Sequence, residues 1–185
     1  VTYSAEPKQG LYFRTPEQGY RTGETHLFSQ GEPIEARQWF PCVDAPNEKT
    51  TTEVICHVPE DMTVLSNGKP MGESRDANGL KAVRWLQDKP HSNYLIALVA
   101  GYFRSVEDKH GEIPLRFYTL PSAIGEAPGS FRDTKDMMVF FEKETVVPYP
   151  WAGYNQVCVN DFVAGGMENT TLTVLTDGTL FPEST

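Results

Sequence analysis

Positive charge is scarce in this sequence. Lys and Arg number 16 against 25 Asp and Glu, a formal net charge of −9. A chain with that balance repels phosphate backbones, so nucleic acid is not expected as a partner. Cysteine is scarcer: Cys42, Cys56 and Cys158 are the only 3 in 185 residues. An odd, sparse set is not a disulfide framework, and each is read as a small buried hydrophobe. Long apolar runs are missing. The longest, residues 94–103 (YLIALVAGYF), is about half of what crosses a bilayer. No membrane span is expected in this segment, and a buried strand explains the run better. No basic stretch followed by an apolar one opens the chain, so no signal is visible and the compartment stays open. The start on Val1 rather than Met is consistent with removal of a preceding segment.

Several reactive-site patterns are also lacking. There is no His-Glu-x-x-His, no Cys-x-x-Cys, no Gly-x-Ser-x-Gly elbow and no P-loop. His26, His57, His91 and His110 are scattered, so no metal site is read from spacing and no catalytic residue is assigned. What remains is an ordinary globular composition, 39% apolar and 22% charged. The length suits one domain, or a small domain plus part of another.

Hydrophobic periodicity organises the chain as mainly β with an α+β C-terminal part. Residues 50–59 alternate, with Thr52, Val54, Cys56 and Val58 on one strand face and Glu53, Ile55 and His57 on the other. Further strands are expected at 25–30, 62–66, 79–86 and 113–120, with one long central strand over 94–106. Asn67-Gly68 is a strong turn signal. Together these suggest a sandwich over the first hundred or so residues. After a charged turn at 107–112 the pattern changes. A helix is expected over 130–147, capped at Ser130, with Met137, Phe140, Phe141 and Val147 at helical spacing and Pro148 as its stop. Strands at 154–159 and 171–176 follow. The boundary is placed at 107/108.

Two segments carry candidate chemistry. Residues 32–49 (EPIEARQWFPCVDAPNEK) form a Pro-rich loop with carboxylates at Glu32, Glu35, Asp44 and Glu48. On its own this reads as a solvated edge with an aromatic plug. Residues 164–169 (AGGMEN) place an acid two residues after a Gly-Gly pair. That pair lets backbone approach a ligand or a strand closely, although alone it is more often a simple turn.

Taken together, the segments resemble the paired motifs of the M1 family of zinc aminopeptidases, the gluzincins. Ala36, Arg37, Phe40, Pro41, Cys42, Asp44, Pro46 and Lys49 match the family's Ala-Arg-x-x-Phe-Pro-Cys-x-Asp-x-Pro-x-x-Lys stretch without a mismatch. Gly165, Gly166, Met167, Glu168 and Asn169 match its Gly-x-Met-Glu-Asn motif. The resemblance spans at least residues 27–175. The LFSQ lead-in and the Gly-Gly variant look most similar to the leukotriene A4 hydrolase branch and its aminopeptidase relatives.

The resemblance implies the C-terminal portion of a saddle-like β-sandwich N-terminal domain at 1–107. It implies the incomplete opening of a thermolysin-like catalytic domain at 108–185. It also implies peptide substrates with a free N-terminus. Glu168 and Glu32 would anchor the α-amine, Gly165 and Gly166 would line the site, Met167 would wall the first side-chain pocket and Asn169 would brace the loop. Zinc ligands, general base and oxyanion tyrosine would lie downstream, so this piece alone is expected to be inactive and to bind no catalytic zinc. Arg37, Asp44 and Lys49 are expected to pair within their loop, and Phe40, Pro41 and Cys42 to be core. Asn169-Thr170-Thr171 also fits the N-glycosylation pattern, read here as chance. The alternatives are a non-catalytic scaffold or interaction module of the same fold, and a bifunctional enzyme that also opens a lipid epoxide. Self-association through truncated surfaces is a further expectation.

Overall fold

The structure is a computed structural model, and it describes residues 1–182. The chain packs as two compact units. Unit 1 comprises Val1–Tyr102 and Glu168–Thr170; unit 2 comprises Phe103–Met167 and the residues from Thr171 on.

Unit 1 is all-β. Its strands are β1 (Leu11–Arg14), β2 (His26–Ser29), β3 (Lys49–Val58), β4 (Thr63–Ser66), β5 (Lys69–Arg75), β6 (Lys81–Ser92) and β7 (Leu98–Gly101). They form an antiparallel sheet in the order β1-β2-β7-β4 and a second in the order β3-β6-β5. The alternation of residues 50–59 is realised in β3: Thr52, Val54 and Cys56 are half-buried and Val58 is buried, whereas Glu53, Ile55 and His57 are exposed. Trp85 of β6 is buried and donates its indole N–H to the Val64 carbonyl of β4 at 3.0 Å, which ties the two sheets together. Asn67-Gly68 does turn the chain, but it joins strands of different sheets and so makes a corner rather than a hairpin. Gly68 sits at φ +84°, and a Cβ there would lie 2.0 Å from the Leu86 carbonyl oxygen, so no other residue fits.

The expected long strand over 94–106 is broken. Residues Asn93–Leu95 form a 3₁₀ turn, β7 ends at Gly101, and a new strand begins at Arg104. Gly101 is paired on both sides, with His26 and Thr63. A Cβ at Gly101 would meet the His26 Cβ at 2.4 Å, which identifies a close backbone approach. The apolar run therefore supplies one short strand, β7, and ends before the next strand begins at Arg104.

Unit 2 contains β8 (Arg104–His110), β9 (Ile113–Thr119), α1 (Ala127–Phe131), α2 (Thr134–Thr145), β10 (Tyr154–Val159), β11 (Gly166–Met167) and β12 (Leu172–Thr176). The sheet order is β11-β12-β10-β9-β8, with β10 parallel to both β9 and β12. From Asn155 to Val159 every residue of β10 is buried, as a strand between parallel neighbours requires. Leu115, Phe117, Ala127, Phe131, Met138 and Cys158 make the core. The Phe117 and Phe131 rings stack with centroids 4.8 Å apart.

The single helix expected over 130–147 is instead two. Pro128 suits the first turn of a helix that starts earlier, at Ala127. The Ser130 hydroxyl donates to the Glu126 carbonyl at 2.9 Å and caps nothing. On α2 it is Thr134 and Met138 that are buried. Met137, Phe140, Phe141 and Val147, the residues at helical spacing, are each more than half exposed, whereas Phe131 and Met138, read beside them, are buried. Cys158 is buried as expected, but Cys42 and Cys56 are only half-buried, the first in a surface loop and the second on the outermost strand of its sheet.

His91, at the end of β6, is 3% exposed and its Nδ1 has no hydrogen-bond partner. Burial holds its pKa down at about 4, from an ordinary 6.5. The unfolded chain therefore binds a proton that the folded chain refuses, and stability falls as the pH drops from about 6.5 towards 4. Urea unfolding should show this loss, on the order of 3 kcal/mol from this residue. In His91→Gln the loss across that window should shrink to what the carboxylates cause.

Candidate functional site

The first candidate segment is held in place by its own carboxylates. After β2, the Gly31 backbone lies so near Tyr94 that a Cβ would come 2.6 Å from the Tyr94 carbonyl oxygen. The Gly31 carbonyl accepts from the Glu35 amide at 2.8 Å, and a 3₁₀ turn follows at Ala36–Gln38. Glu35 accepts from the Gly10 amide at 3.1 Å and the Tyr12 hydroxyl at 2.9 Å. Burial and that bond to Glu35 raise the Tyr12 pKa above its ordinary value. Asp44, whose side chain is 3% exposed, accepts from both the amide and Nε of Arg37 at 3.1 Å, while Arg37 donates back to the Asp44 carbonyl. This is the expected Arg37–Asp44 pair. Lys49 starts β3 and has no ion-pair partner among the described residues.

Phe40 and Cys42 are half-buried and Pro41 is exposed, so these three are not the core that the sequence suggests. With Trp39 and the first half of β3 they line an open groove of about 530 Å³. The N-terminal segment reaches the loop, with the Tyr3 hydroxyl donating to the Trp39 carbonyl at 2.5 Å, yet Phe40 and Cys42 stay only half-buried.

The second segment begins in unit 2. The Gly165 carbonyl accepts from the Thr176 amide at 3.1 Å. Gly166 and Met167 form β11, paired antiparallel with Leu175 and Val174 of β12. Met167 is 2% exposed. A Cβ on Gly166 would meet the Leu175 side chain at 2.9 Å, while one on Gly165 would meet nothing within 4 Å. Thr171 then sits at φ +65°, a conformation that β-branched residues avoid.

Between these anchors, residues Glu168–Thr170 pack with unit 1. The Thr170 carbonyl accepts from Nδ2 of Asn67 at 2.6 Å. Asn169 is 2% exposed, and neither atom of its carboxamide has a hydrogen-bond partner. Its burial also closes it to a glycosylating enzyme, in line with the chance reading of that pattern.

Glu32, Glu168 and Asn169 thus belong to unit 1, and Gly165, Gly166 and Met167 to unit 2. Glu32 and Glu168 are both exposed. Among the described residues neither carboxylate has a hydrogen-bond or ion-pair partner, unlike Glu35 and Asp44. Asn67 was missed as a site residue because its sequence neighbourhood signals only a turn, and its partner is 103 residues away.

Among the described residues no group of three or more His, Cys, Asp or Glu could hold a metal ion. The residues present therefore do not fit a zinc centre, and no catalytic step is assigned to a metal on this chain.

Residues 1–95 match the Peptidase M1 N-terminal domain, and residues 130–185 match the Peptidase family M1 domain. The chain belongs to the peptidase M1 family. It is 34% identical over 142 residues to aminopeptidase M1 of Arabidopsis thaliana, covering 76% of this chain and 16% of that protein. It is 33% identical over 162 residues to the mitochondrial aminopeptidase 2 of Saccharomyces cerevisiae, covering 85% of this chain and 17% of that protein. Against aminopeptidase N of Canis lupus familiaris the identity is 30% over 147 residues, 76% of this chain and 15% of the relative. The chain thus spans about a sixth of the length of the curated relatives it matches. M1 family aminopeptidases are zinc enzymes.

The contrast between satisfied and unsatisfied acids gives a direct stability test. Asp44→Ala should cost about 1 kcal/mol in urea unfolding, because it removes a buried carboxylate that accepts from the amide and Nε of Arg37. Glu32→Ala and Glu168→Ala should each stay within about 0.5 kcal/mol of the parent sequence, as exposed unpartnered side chains do.

Proposed function

We propose that this chain is part of a zinc-dependent aminopeptidase that removes single residues from the N-terminus of peptides, and that it supplies the anchor for the substrate's α-amine. The observation that carries this reading is Glu168. Its carboxylate is exposed and unpartnered, yet it stands on backbone that is tied down on both sides by β11 and by the Thr170–Asn67 bond. An unneutralised carboxylate on anchored backbone is a good partner for an ammonium group, and charge-assisted hydrogen bonds are the strong ones.

In this reading Glu32 is the second anchor, a second unpartnered acid of the same unit. Two carboxylates facing one ammonium fix the distance from the N-terminus to the cleaved bond and restrict release to one residue. The backbone of Gly165 and Gly166 lines the site and holds the peptide in extended form. Met167 backs the first side-chain pocket from inside the fold, and Asn169 stiffens the loop. Residues 1–107 are the closing portion of the family's N-terminal β domain, and residues 108–185 are the opening of its catalytic domain. The matches at 1–95 and 130–185 support that division. The zinc and the groups that activate water belong to parts of the enzyme outside these residues, so the 185-residue chain alone does not hydrolyse peptides.

The test uses the longer enzyme that contains this chain, assayed with leucine p-nitroanilide. It should release leucine in a chelator-sensitive reaction and leave the N-acetylated substrate intact. Glu168→Ala should raise KM at least about tenfold, the loss of one charged hydrogen bond. A folded, zinc-replete enzyme without this activity would instead support the scaffold reading.

A further inference from the structure

The corner at Asn67-Gly68 holds one of the most completely used polar side chains in the molecule. Asn67 is 1% exposed. Its Nδ2 donates to the Leu95 carbonyl at 2.9 Å and to the Thr170 carbonyl at 2.6 Å. Its Oδ1 accepts from the Ala97 amide at 2.7 Å. Both donors of the carboxamide are spent, as a buried amide requires. Leu95 and Ala97 lead directly into β7, so two of the three bonds fasten Asn67 to the middle of its own sheet. The third reaches 103 residues along the chain to the loop that carries Glu168.

That third bond acts on residues outside any sheet. Residues 168–170 lie between β11, which ends at Met167, and β12, which begins at Leu172, and they pair with neither. Among the described residues the Asn67 bond is the one hydrogen bond that ties residues 168–170 to the rest of unit 1. The Asn169 carboxamide, buried beside it, contributes none. The donor is braced by its bonds to Leu95 and Ala97, beside a corner where Gly68 is left-handed with no room for a Cβ.

We propose that Asn67 is a positioning residue for recognition of the substrate amine: its carboxamide, braced on Leu95 and Ala97, holds the Thr170 carbonyl and so sets where the Glu168 carboxylate stands. Asn67 does not touch the substrate. The inference rests on the reading of Glu168 as an amine anchor.

Ser66 provides the control. It is equally buried, lies next to Asn67 and donates to the Ala97 carbonyl at 2.7 Å, but its hydroxyl bonds to no residue of the 168–170 loop. In the longer enzyme, Ser66→Ala and Asn67→Ala should both lower the thermal unfolding midpoint. Only Asn67→Ala should raise KM for leucine p-nitroanilide, by about tenfold. Asn67→Ala combined with Glu168→Ala should have a KM within about twofold of Glu168→Ala alone, since a displaced anchor and an absent one are the same defect. If Asn67→Ala gives insoluble protein, Asn67→Ser serves in the same comparison; its hydroxyl is too short to replace Nδ2 at Thr170.

The proposal is overturned if the Asn67 variant keeps a wild-type KM while Glu168→Ala raises it. It is also overturned if the two effects multiply in the double variant, or if Ser66→Ala raises KM as much as Asn67→Ala. A Glu168→Ala enzyme with unchanged KM would instead remove the amine-anchor reading, and this inference with it.

Discussion

The hydrogen bond from the Asn67 carboxamide to the Thr170 carbonyl is the constraint on which the arrangement of this chain turns. It joins a corner near residue 67 to a loop 103 residues later. Both ends are desolvated, with Asn67 1% and Thr170 7% exposed. A buried amide that loses its acceptor costs about 1–3 kcal/mol, so corner and loop are coupled through the penalty for separating them. That bond lies where three residues pack with unit 1 while the residues on either side pair in the sheet of unit 2.

The acids divide into two kinds on the same physical grounds. Glu35 and Asp44 are committed to amides, a hydroxyl and a guanidinium, and they shape the loop before β3. Glu32 and Glu168 are exposed and, among the described residues, unpaired. A chain of net charge −9 has many surface carboxylates, and most gain little from their ion pairs. What separates Glu168 from those is that the chain beside it is held by β11 on one side and by the Thr170–Asn67 bond on the other. A held backbone leaves less freedom to lose when the side chain takes a cation, which favours binding.

Much of this was legible in the sequence where the signal is local. The alternation in β3, the strands at 154–159 and 171–176 and the change from β to α+β all follow from periodicity. The two motifs were legible as a family resemblance, and the family matches bear it out. The misreadings share a cause. The apolar run at 94–106 looks like one strand because hydrophobicity does not record the close approach of Gly101 to His26. The stripe on α2 looks inward because periodicity gives the spacing of a face, not the direction in which it packs. Phe40 and Cys42 look like core because composition does not say what covers a loop. Asn67 looks like a turn residue, which it is; no local pattern shows that its side chain meets Thr170.

The central claim is that Glu168 receives the substrate's α-ammonium. A crystal structure of the longer enzyme with a bound dipeptide analogue bearing a free amine tests it most directly. The account predicts the ammonium nitrogen within about 3 Å of a Glu168 carboxylate oxygen, with Glu32 as the second acid around it. An ammonium bound elsewhere, with Glu168 still facing solvent, would contradict it.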